Sequence, residues 1–551
     1  MKRNTQTHTE SPDSDESGIF EKDKEVTESS FTQRYVWVVG IVFLLLVCSL
    51  FLNLGVQPIY LEESRRTLIS LEMLFNENLV VPTQFGEFYY KKPPLWNWAI
   101  IAAYKIFGNY SEFTSRFFTP VSFLLMGAVL FFVGNKYVNF PFGIYSTLLF
   151  LVTGELLFYF SLLAEIDLFY SLLTFGSFIT LFHFYQTKRY RVLFLSTYVL
   201  SALATLTKGF PTVVFLGISL FLFFLYNKDW KRLFTLSHFW GIAVYSIIVG
   251  GYFYVYGQYN NVQDFLTGLW LESSERTLLR KNALSLPTHI FLYPFQTFVS
   301  MLPASLLILF AWQKNFVTEI RKNKYIEFCF FILVGNVVVY WLSPGTKQRY
   351  TYMLYPVIIS ILTYFYLRFS NSQIKRMKAL HVIFYIALVL LIVIYISLTF
   401  IPQLQVVPHI VVISAISVLM GFALLVVFMK KRHIRLFVVI FSIILMRFVF
   451  DFTVLQIRAM NGEQKVAKDG AERITAIVKN EPLYLYKDSS CSRTMVFYIV
   501  REQKAIMSRN HVKNPSDFFL TEEKYINNEP HKIFYQFIDK NNRHCMLIKF
   551  M

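Results

Sequence analysis

The chain has 551 residues, of which 55% are hydrophobic and only 16% are charged. Its mean hydropathy is +0.45, which excludes a soluble protein of this length, since soluble domains carry about 25% charged residues. The net charge of +18 first suggests a nucleic-acid partner. However, the basic residues form short clusters between apolar runs, as the cytoplasmic loops of membrane proteins do. We therefore predict a polytopic α-helical membrane protein.

The N-terminal residues 1–34 are polar and acidic and contain no apolar core of a signal peptide. We predict a disordered cytoplasmic tail without a cleavable signal. A transmembrane domain is predicted over residues 35–456, where about thirteen apolar runs are long enough to span a bilayer. These runs lie near 35–56, 113–133, 141–160, 164–185, 192–207, 209–226, 236–256, 289–312, 325–342, 351–368, 379–400, 409–428 and 436–456.

The orientation follows from the basic loops. Clusters such as Lys188–Arg191 and Lys430–Arg435 fall between alternate runs, and the positive-inside rule puts these loops in the cytoplasm. With the N-terminus also inside, an odd number of spans puts the other loops and the C-terminal region outside. The predicted outer segments are 57–112, roughly 256–288, 343–350 and 457–551.

The first outer loop, 57–112, is predicted to contain two interfacial helices. In Leu61–Asn76 apolar residues recur at helical spacing, and the other side of the helix is charged. Pro94–Phe107 is apolar and aromatic but too short to span a membrane, which suits the headgroup region.

The C-terminal region, 457–551, is predicted to be a small extracytoplasmic α/β domain. Its segments PLYLYKD, TMVFYIV, KIFYQF and HCMLIKF have the β-branched and aromatic content of strands. If this domain is outside, Cys491 and Cys545 could form a disulfide, but the cysteines lack the spacing of a structural zinc site.

Two groups of carboxylates are candidates for chemistry. Glu62 and Glu63 begin the first loop helix, where a carboxylate can act as a general base; alternatively they stabilise the helix start and pair with nearby arginines. Glu165 and Asp167 lie between two apolar runs, and ionisable groups at such a depth are usually functional. If that turn is exposed, they merely end helices.

Basic residues in the outer segments predict an anionic ligand, because the positive-inside rule disfavours them there. Arginine binds phosphate with two hydrogen bonds and lysine as a point charge. Lipid headgroup contacts are the alternative, and Lys208 could equally mark a helix end. The candidates are Arg65, Lys91, Lys92, Lys208, Arg276, Arg280 and, in the turn 343–350 and just after it, Lys347, Arg349, Tyr350 and Tyr352.

No phosphate-binding loop, dinucleotide fingerprint, HExxH or GxSxG motif is present, so soluble nucleotide chemistry has no site. A membrane-embedded anionic donor, a polyprenyl phosphate carrying a sugar, fits better. Such a reaction needs cations for the departing phosphate and one base for the nucleophile.

Several motifs resemble the polyprenyl-phosphate-sugar glycosyltransferases of the GT-C fold. They are EESR (62–65), EMLFNENLVVPTQFGEFYYKKPPLWNW (72–98), FGNYSEFTSR (107–116), AEID (164–167), TKGF (207–210) and RYTYMLYP (349–356). The branch that looks most similar comprises the bacterial lipid A aminoarabinose transferases and the protein-mannosyltransferase-like proteins.

The resemblance implies roles for individual residues. Glu62, Glu63 and Asp167 take the places of the family's acidic residues, although the family usually has Asp where this chain has Glu62. Asp167 is therefore the more secure base. The resemblance further implies that Lys92, Arg65, Arg276, Tyr350 and Tyr352 bind the donor phosphate. No metal or other cofactor is required, although the carboxylates could bind a divalent ion.

These features together predict an inverting hexosyl- or pentosyltransferase of the bacterial inner membrane. It would use an undecaprenyl-phosphate-type donor on the outer face, with lipid A, another envelope glycan or a protein as acceptor. A transporter or flippase of lipid-linked sugars is the alternative. Transporters usually have paired repeats, whereas this chain is elaborated on one side only. A membrane-bound scaffold for the C-terminal domain is a third reading, but it leaves the buried charges unexplained.

Overall fold

The structure is a computed structural model that describes residues 36–275, 286–526, 529–539 and 542–551. Within these ranges, nine helices are long and apolar enough to cross a membrane, two helix pairs are bent at a short break, and two apolar helices are shorter. Each of the predicted apolar segments corresponds to one of these helices or pairs. The predicted polytopic helical membrane protein is confirmed.

The helices are numbered along the chain. They are α1 (Val36–Phe51), α2 (Glu63–Phe75), α3 (Leu95–Phe107), α4 (Glu112–Arg116), α5 (Phe118–Tyr137), α6 (Phe140–Leu151), α7 (Gly154–Phe158), α8 (Ile166–Gln186), α9 (Tyr190–Lys208), α10 (Pro211–Tyr226), α11 (Leu236–Tyr256), α12 (Val262–Ser274), α13 (Leu286–Ser300), α14 (Ile308–Ala311), α15 (Phe316–Arg321), α16 (Lys324–Trp341), α17 (Tyr355–Phe369), α18 (Ile374–Ser397), α19 (Ile410–Lys430), α20 (Arg435–Phe452), α21 (Val454–Asn461), α22 (Glu463–Val478) and α23 (Arg493–Gln503).

The main apolar core lies among α5, α6, α8, α10, α16, α17 and α20, whose inward-facing Leu, Ile and Phe side chains are buried against one another. The outward sides of α11, α18 and α19 are exposed and apolar, as expected for helices that face lipid. This packing leaves the ends of the helices to position polar groups.

The first loop lies at one end of the bundle, here called the loop end. It contains α2, α3 and a short antiparallel hairpin of β1 (Thr83–Gln84) and β2 (Glu87–Phe88). The predicted helix over Leu61–Asn76 exists, but its polar side does not face a headgroup region. Glu63, Arg66 and Glu72 are buried, because α3 and α23 pack against α2. Their partners are Arg116 of α4, the Tyr89 hydroxyl and the N–H groups of Phe85 and Gly86, respectively.

The C-terminal region is an α/β domain with a five-stranded sheet, as predicted. Its strand order is β4-β3-β5-β7-β6, with β3 parallel to β4 and β5 and the other pairs antiparallel. The strands are β3 (Leu483–Tyr486), β4 (Arg509–Asn510), β5 (Phe518–Glu522), β6 (His531–Asp539) and β7 (Arg543–Phe550).

One predicted strand of this domain is wrong. TMVFYIV lies in α23, and every residue from Thr494 to Val500 is buried. A short, continuous apolar run is compatible with either a buried strand or a buried helix, so periodicity could not separate the two. Cys491 and Cys545 are free thiols whose Sγ atoms lie 3.8 Å apart in the core of the domain.

The C-terminal domain is docked onto the first loop by hydrogen bonds. The Tyr498 hydroxyl donates to Glu112 at 2.9 Å and accepts from the Ile59 N–H at 2.8 Å. Gly86, in the hairpin turn, has φ +74°, and a Cβ there would lie 2.6 Å from the Cβ of Ser508. The close approach of the two segments therefore requires glycine.

Candidate active site

A cluster of buried charges lies at the start of α8. Lys208 is the last residue of α9, which ends because Gly209 has φ +86°. Its Nζ donates to Asp167 Oδ1 at 2.7 Å. The Arg349 guanidinium lies 3.7 Å from Asp167 Oδ2 and 3.5 Å from Glu165 Oε1. Two cations and two carboxylates therefore form one network at the loop end, here called the charged centre.

The turn that carries these carboxylates is held by side chains of three other elements. Thr119 donates to the Leu163 carbonyl at 2.8 Å, and the Trp96 indole donates to the Ala164 carbonyl at 3.1 Å. The Ala164 N–H donates to Glu63 Oε2 at 2.8 Å. Glu165 is 4% exposed, and burial, followed by the neighbouring Asp167 charge, raises its pKa above the usual value of a glutamate.

Glu63 has a different position from the one predicted. It forms a bidentate ion pair with Arg116, at 2.6 Å from Nη2 and 3.0 Å from Nε, and both side chains are fully buried. Arg116 also donates to the carbonyls of Leu54, Gln57 and Pro58. The geometry thus gives Glu63 a role in fixing the entry of the first loop, and it offers no support for a catalytic one.

Glu62 lies at the rim of the site with a half-exposed side chain. Its Oε2 is 3.1 Å from Arg65 Nη1, and its Oε1 is 3.7 Å from the guanidinium of Arg493 in the C-terminal domain. Burial alone would raise the pKa of Glu62, but the guanidinium groups of Arg65 and Arg493 hold it below its usual value. Arg65 therefore pairs with a carboxylate rather than standing free for phosphate.

Two of the predicted phosphate ligands, Lys92 and Tyr350, lie near one another. Both line a cavity of about 210 Å³, to which Lys208 also contributes, with apolar walls from α10, α12 and α16. Lys208 Nζ lies 4.4 Å from the centre of the Tyr350 ring, and Lys92 Nζ lies 3.7 Å from Glu272 Oε1. The cavity combines positive charge with an apolar lining, which suits a lipid phosphate.

One other predicted phosphate ligand, Tyr352, does not line this cavity. Tyr352 is fully buried, with its ring 5.0 Å from those of Phe160 and Tyr355, and it is not among the described residues that line this cavity. Arg276 and Arg280 lie outside the described residues.

A second, larger cavity of about 1040 Å³ lies between α7, α13, α18 and α20. Its walls are apolar except for Glu155, Gln296, Ser300, Gln348 and Ser442. Three consecutive residues connect the two cavities: Gln348 lines the large one, Tyr350 lines the small one, and Arg349 between them reaches the charged centre. The carboxylates are therefore close to both.

The fold has a counterpart among solved structures. The fold is similar to that of ArnT from Cupriavidus metallidurans bound to undecaprenyl phosphate, with a TM-score of 0.70, 15% identity, and coverage of 93% of this chain and 98% of that one. The apo form of the same protein gives a TM-score of 0.68 at 15% identity, covering 94% and 98%. The chain has the GT-C fold.

Sequence comparison agrees with this GT-C assignment. Residues 91–251 match the family described as dolichyl-phosphate-mannose-protein mannosyltransferase. An uncharacterized protein of Aquifex aeolicus (strain VF5) is 25% identical over 358 residues, which is 64% of this chain and 67% of that protein.

Sequence reasoning missed part of the site. Arg493 comes from a domain some 430 positions away from Glu62, and no local pattern indicates that contact. Glu272 beside Lys92 was also missed. Lys208 ends a helix, as one of its two interpretations predicted, and its Nζ also donates to Asp167, a contact that the sequence did not predict.

Proposed function

We propose that this protein is an integral-membrane glycosyltransferase that moves a sugar from a polyprenyl phosphate to an acceptor. The observation that supports this most is the apolar cavity carrying Lys92, Lys208 and Tyr350 directly beside the carboxylates of the charged centre. The match of residues 91–251 to a mannosyltransferase family and the fold shared with an ArnT bound to undecaprenyl phosphate agree with it.

The proposed reaction is an inverting displacement. The acceptor attacks the anomeric carbon from the face opposite the phosphate, and the bond from that carbon to the phosphate oxygen breaks. Lys92 and Lys208 neutralise the charge that develops on the departing polyprenyl phosphate, so no acid has to protonate it. Positively charged side chains can supply this stabilisation, so the proposal requires no metal ion.

The large second cavity favours a lipid acceptor. Its apolar walls suit acyl chains, and one of its polar side chains, Gln348, directly precedes Arg349 of the charged centre. Lipid A or another membrane-anchored envelope glycan fits this shape better than a protein acceptor does. The proposed transferred sugar is a hexose or a pentose.

We place the reaction on the extracytoplasmic face of the bacterial inner membrane. The charged centre and the C-terminal domain are at the loop end of the bundle, whereas the basic clusters Lys188–Arg191 and Lys430–Arg435 connect helices at their other ends. By the positive-inside rule, the basic end is cytoplasmic.

The test uses purified protein with undecaprenyl-phosphate-linked hexose or pentose. Lipid A, a membrane glycan lipid and a Ser/Thr-containing peptide are offered separately as acceptors, with and without a chelator. We expect a glycosylated lipid product in wild type, its loss in Lys92→Ala, and its retention in Lys91→Ala, whose side chain is exposed. Movement of the donor lipid across vesicles without any product would instead identify a flippase.

A further inference from the structure

Four carboxylates of the segments 62–63 and 165–167 lie at or near the charged centre, and they differ in how far their oxygens are already engaged. Glu63 is bound on both oxygens by Arg116, and Glu62 is paired with two guanidinium groups. Asp167 accepts a direct hydrogen bond from Lys208 at 2.7 Å. Glu165 has a loose ion pair with Arg349 at 3.5 Å, and the described part of the chain offers it no hydrogen-bond donor.

We propose that Glu165 is the general base that accepts the proton of an acceptor hydroxyl. This inference rests on the proposed transferase function. In the step, the acceptor O–H bond breaks and its proton passes to a Glu165 oxygen. The acceptor oxygen forms a bond to the anomeric carbon, and the bond from that carbon to the phosphate oxygen breaks with its electron pair leaving on the polyprenyl phosphate.

Asp167 is poorly suited to the same task because a proton on it would break its ion pair with Lys208. A buried ion pair that loses one charge is costly, since the remaining charge has no partner. Asp167 instead holds Lys208 in place beside the phosphate cavity. Its negative charge also increases the proton affinity of its neighbour, Glu165.

The geometry of the turn supports this division of roles. Backbone groups of Leu163 and Ala164 are fixed by side chains from α2, α3 and α5, so the Glu165 side chain projects from a rigid position. Preorganisation of this kind is what a base needs.

The groups that influence the charge of Glu165 come from several elements. They are Asp167 on its own helix, Arg349 on the segment before α17, Arg66 and Glu62 on and just before α2, and Tyr159 after α7. The two carboxylates favour its protonated form and the two arginines its ionised form. Burial and Asp167 outweigh them and raise the pKa of Glu165 above its usual value, towards the range where a base is effective at neutral pH.

The experiment measures kcat and the donor KM between pH 5.5 and 8.5 with whichever acceptor gives product in the assay above. In wild type, kcat should fall about tenfold per pH unit below about pH 7, because the base must be ionised. Glu165→Gln should lower kcat by about 100-fold or more and remove this fall of kcat at low pH, the acid limb of the pH profile. The donor KM and the melting temperature should be unchanged. Glu165→Asp should keep the acid limb and have a kcat between those of wild type and Glu165→Gln.

The matched control is Glu77→Gln, an exposed carboxylate of the same loop, which should behave as wild type. A Glu165→Gln variant that keeps kcat within about fivefold, or that keeps the acid limb, overturns the assignment. Product formed on a phosphate oxygen with Glu165→Gln fully active also overturns it, because such an acceptor needs no base. Absence of product in wild type would instead refute the proposed function. If Glu165→Gln does not fold, Glu165→Asp tests the assignment instead: a wild-type kcat, or the loss of its acid limb, would overturn it.

Discussion

Replacing Glu63 by glutamine leaves the guanidinium of Arg116 buried without its anionic partner. The two hydrogen bonds of 2.6 and 3.0 Å from Arg116 lose their charged acceptor, the Glu63 carboxylate. Hydrogen bonds to charged groups contribute about 1.5–3 kcal/mol each. Removing one member of a buried ion pair costs about 3–5 kcal/mol. We therefore expect Glu63→Gln to lower the free energy of unfolding by about 3–5 kcal/mol.

The measurement is an unfolding titration with sodium dodecyl sulfate in mixed micelles, followed by tryptophan fluorescence. Glu472→Gln, an exposed carboxylate on α22, is the control and should change the free energy by less than about 0.5 kcal/mol. The double variant Glu63→Gln/Arg116→Met should be less destabilised than the sum of the single variants, because it removes the unpaired charge. A Glu63→Gln protein with wild-type stability but no turnover would refute this reasoning and assign Glu63 to catalysis.

Three further changes test other parts of the structure. Lys92→Met should raise the donor KM about tenfold or more in steady-state kinetics, since it removes a cation from the phosphate cavity, whereas Lys91→Met should not. Tyr498→Phe should cost about 1–3 kcal/mol and speed hydrogen exchange where α23 meets α2, because the Ile59 N–H loses its acceptor; unchanged exchange would contradict this. Burial raises the pKa of Glu72 from 4.5 to about 7, so its protonated form favours the fold. The free energy of unfolding should therefore fall as the pH rises from about 4.5 to 7. In Glu72→Gln the slope of this pH dependence should be smaller by the equivalent of about one proton, as measured by equilibrium unfolding at each pH. An equally steep profile would contradict this prediction.

The sequence predicted the fold class well because its strongest signals are long and local. Thirteen apolar runs specify spans by length alone, and each corresponds to a helix or a bent helix pair. The bends themselves were not predicted: Gly154–Leu162 departs by 49° from the helix before it, and nothing in the apolar composition of that segment indicates an angle. Only packing against neighbouring helices determines it.

The candidate site likewise contains residues that local motifs indicated and contacts that they did not. Lys92, Tyr350 and Asp167 were found because motifs with fixed spacing carry them, and the structure groups the first two around one cavity. Glu63 was given a catalytic role because its partner, Arg116, is 53 positions away and no helical periodicity connects the two. Contacts between distant segments are decided by tertiary packing, which a single sequence does not display.

The position of α2 between the bundle and α23 has a consequence for engineering. Residues of the first loop and of the C-terminal domain form one interface, in which Tyr498 contacts Ile59 and Glu112, and Arg493 reaches Glu62 at the rim of the candidate site. A chimera that exchanges only residues 457–551 with a relative would place a foreign surface on α2 and misalign Glu62. Transplanting acceptor preference between such enzymes would thus require the two segments to be moved as a pair.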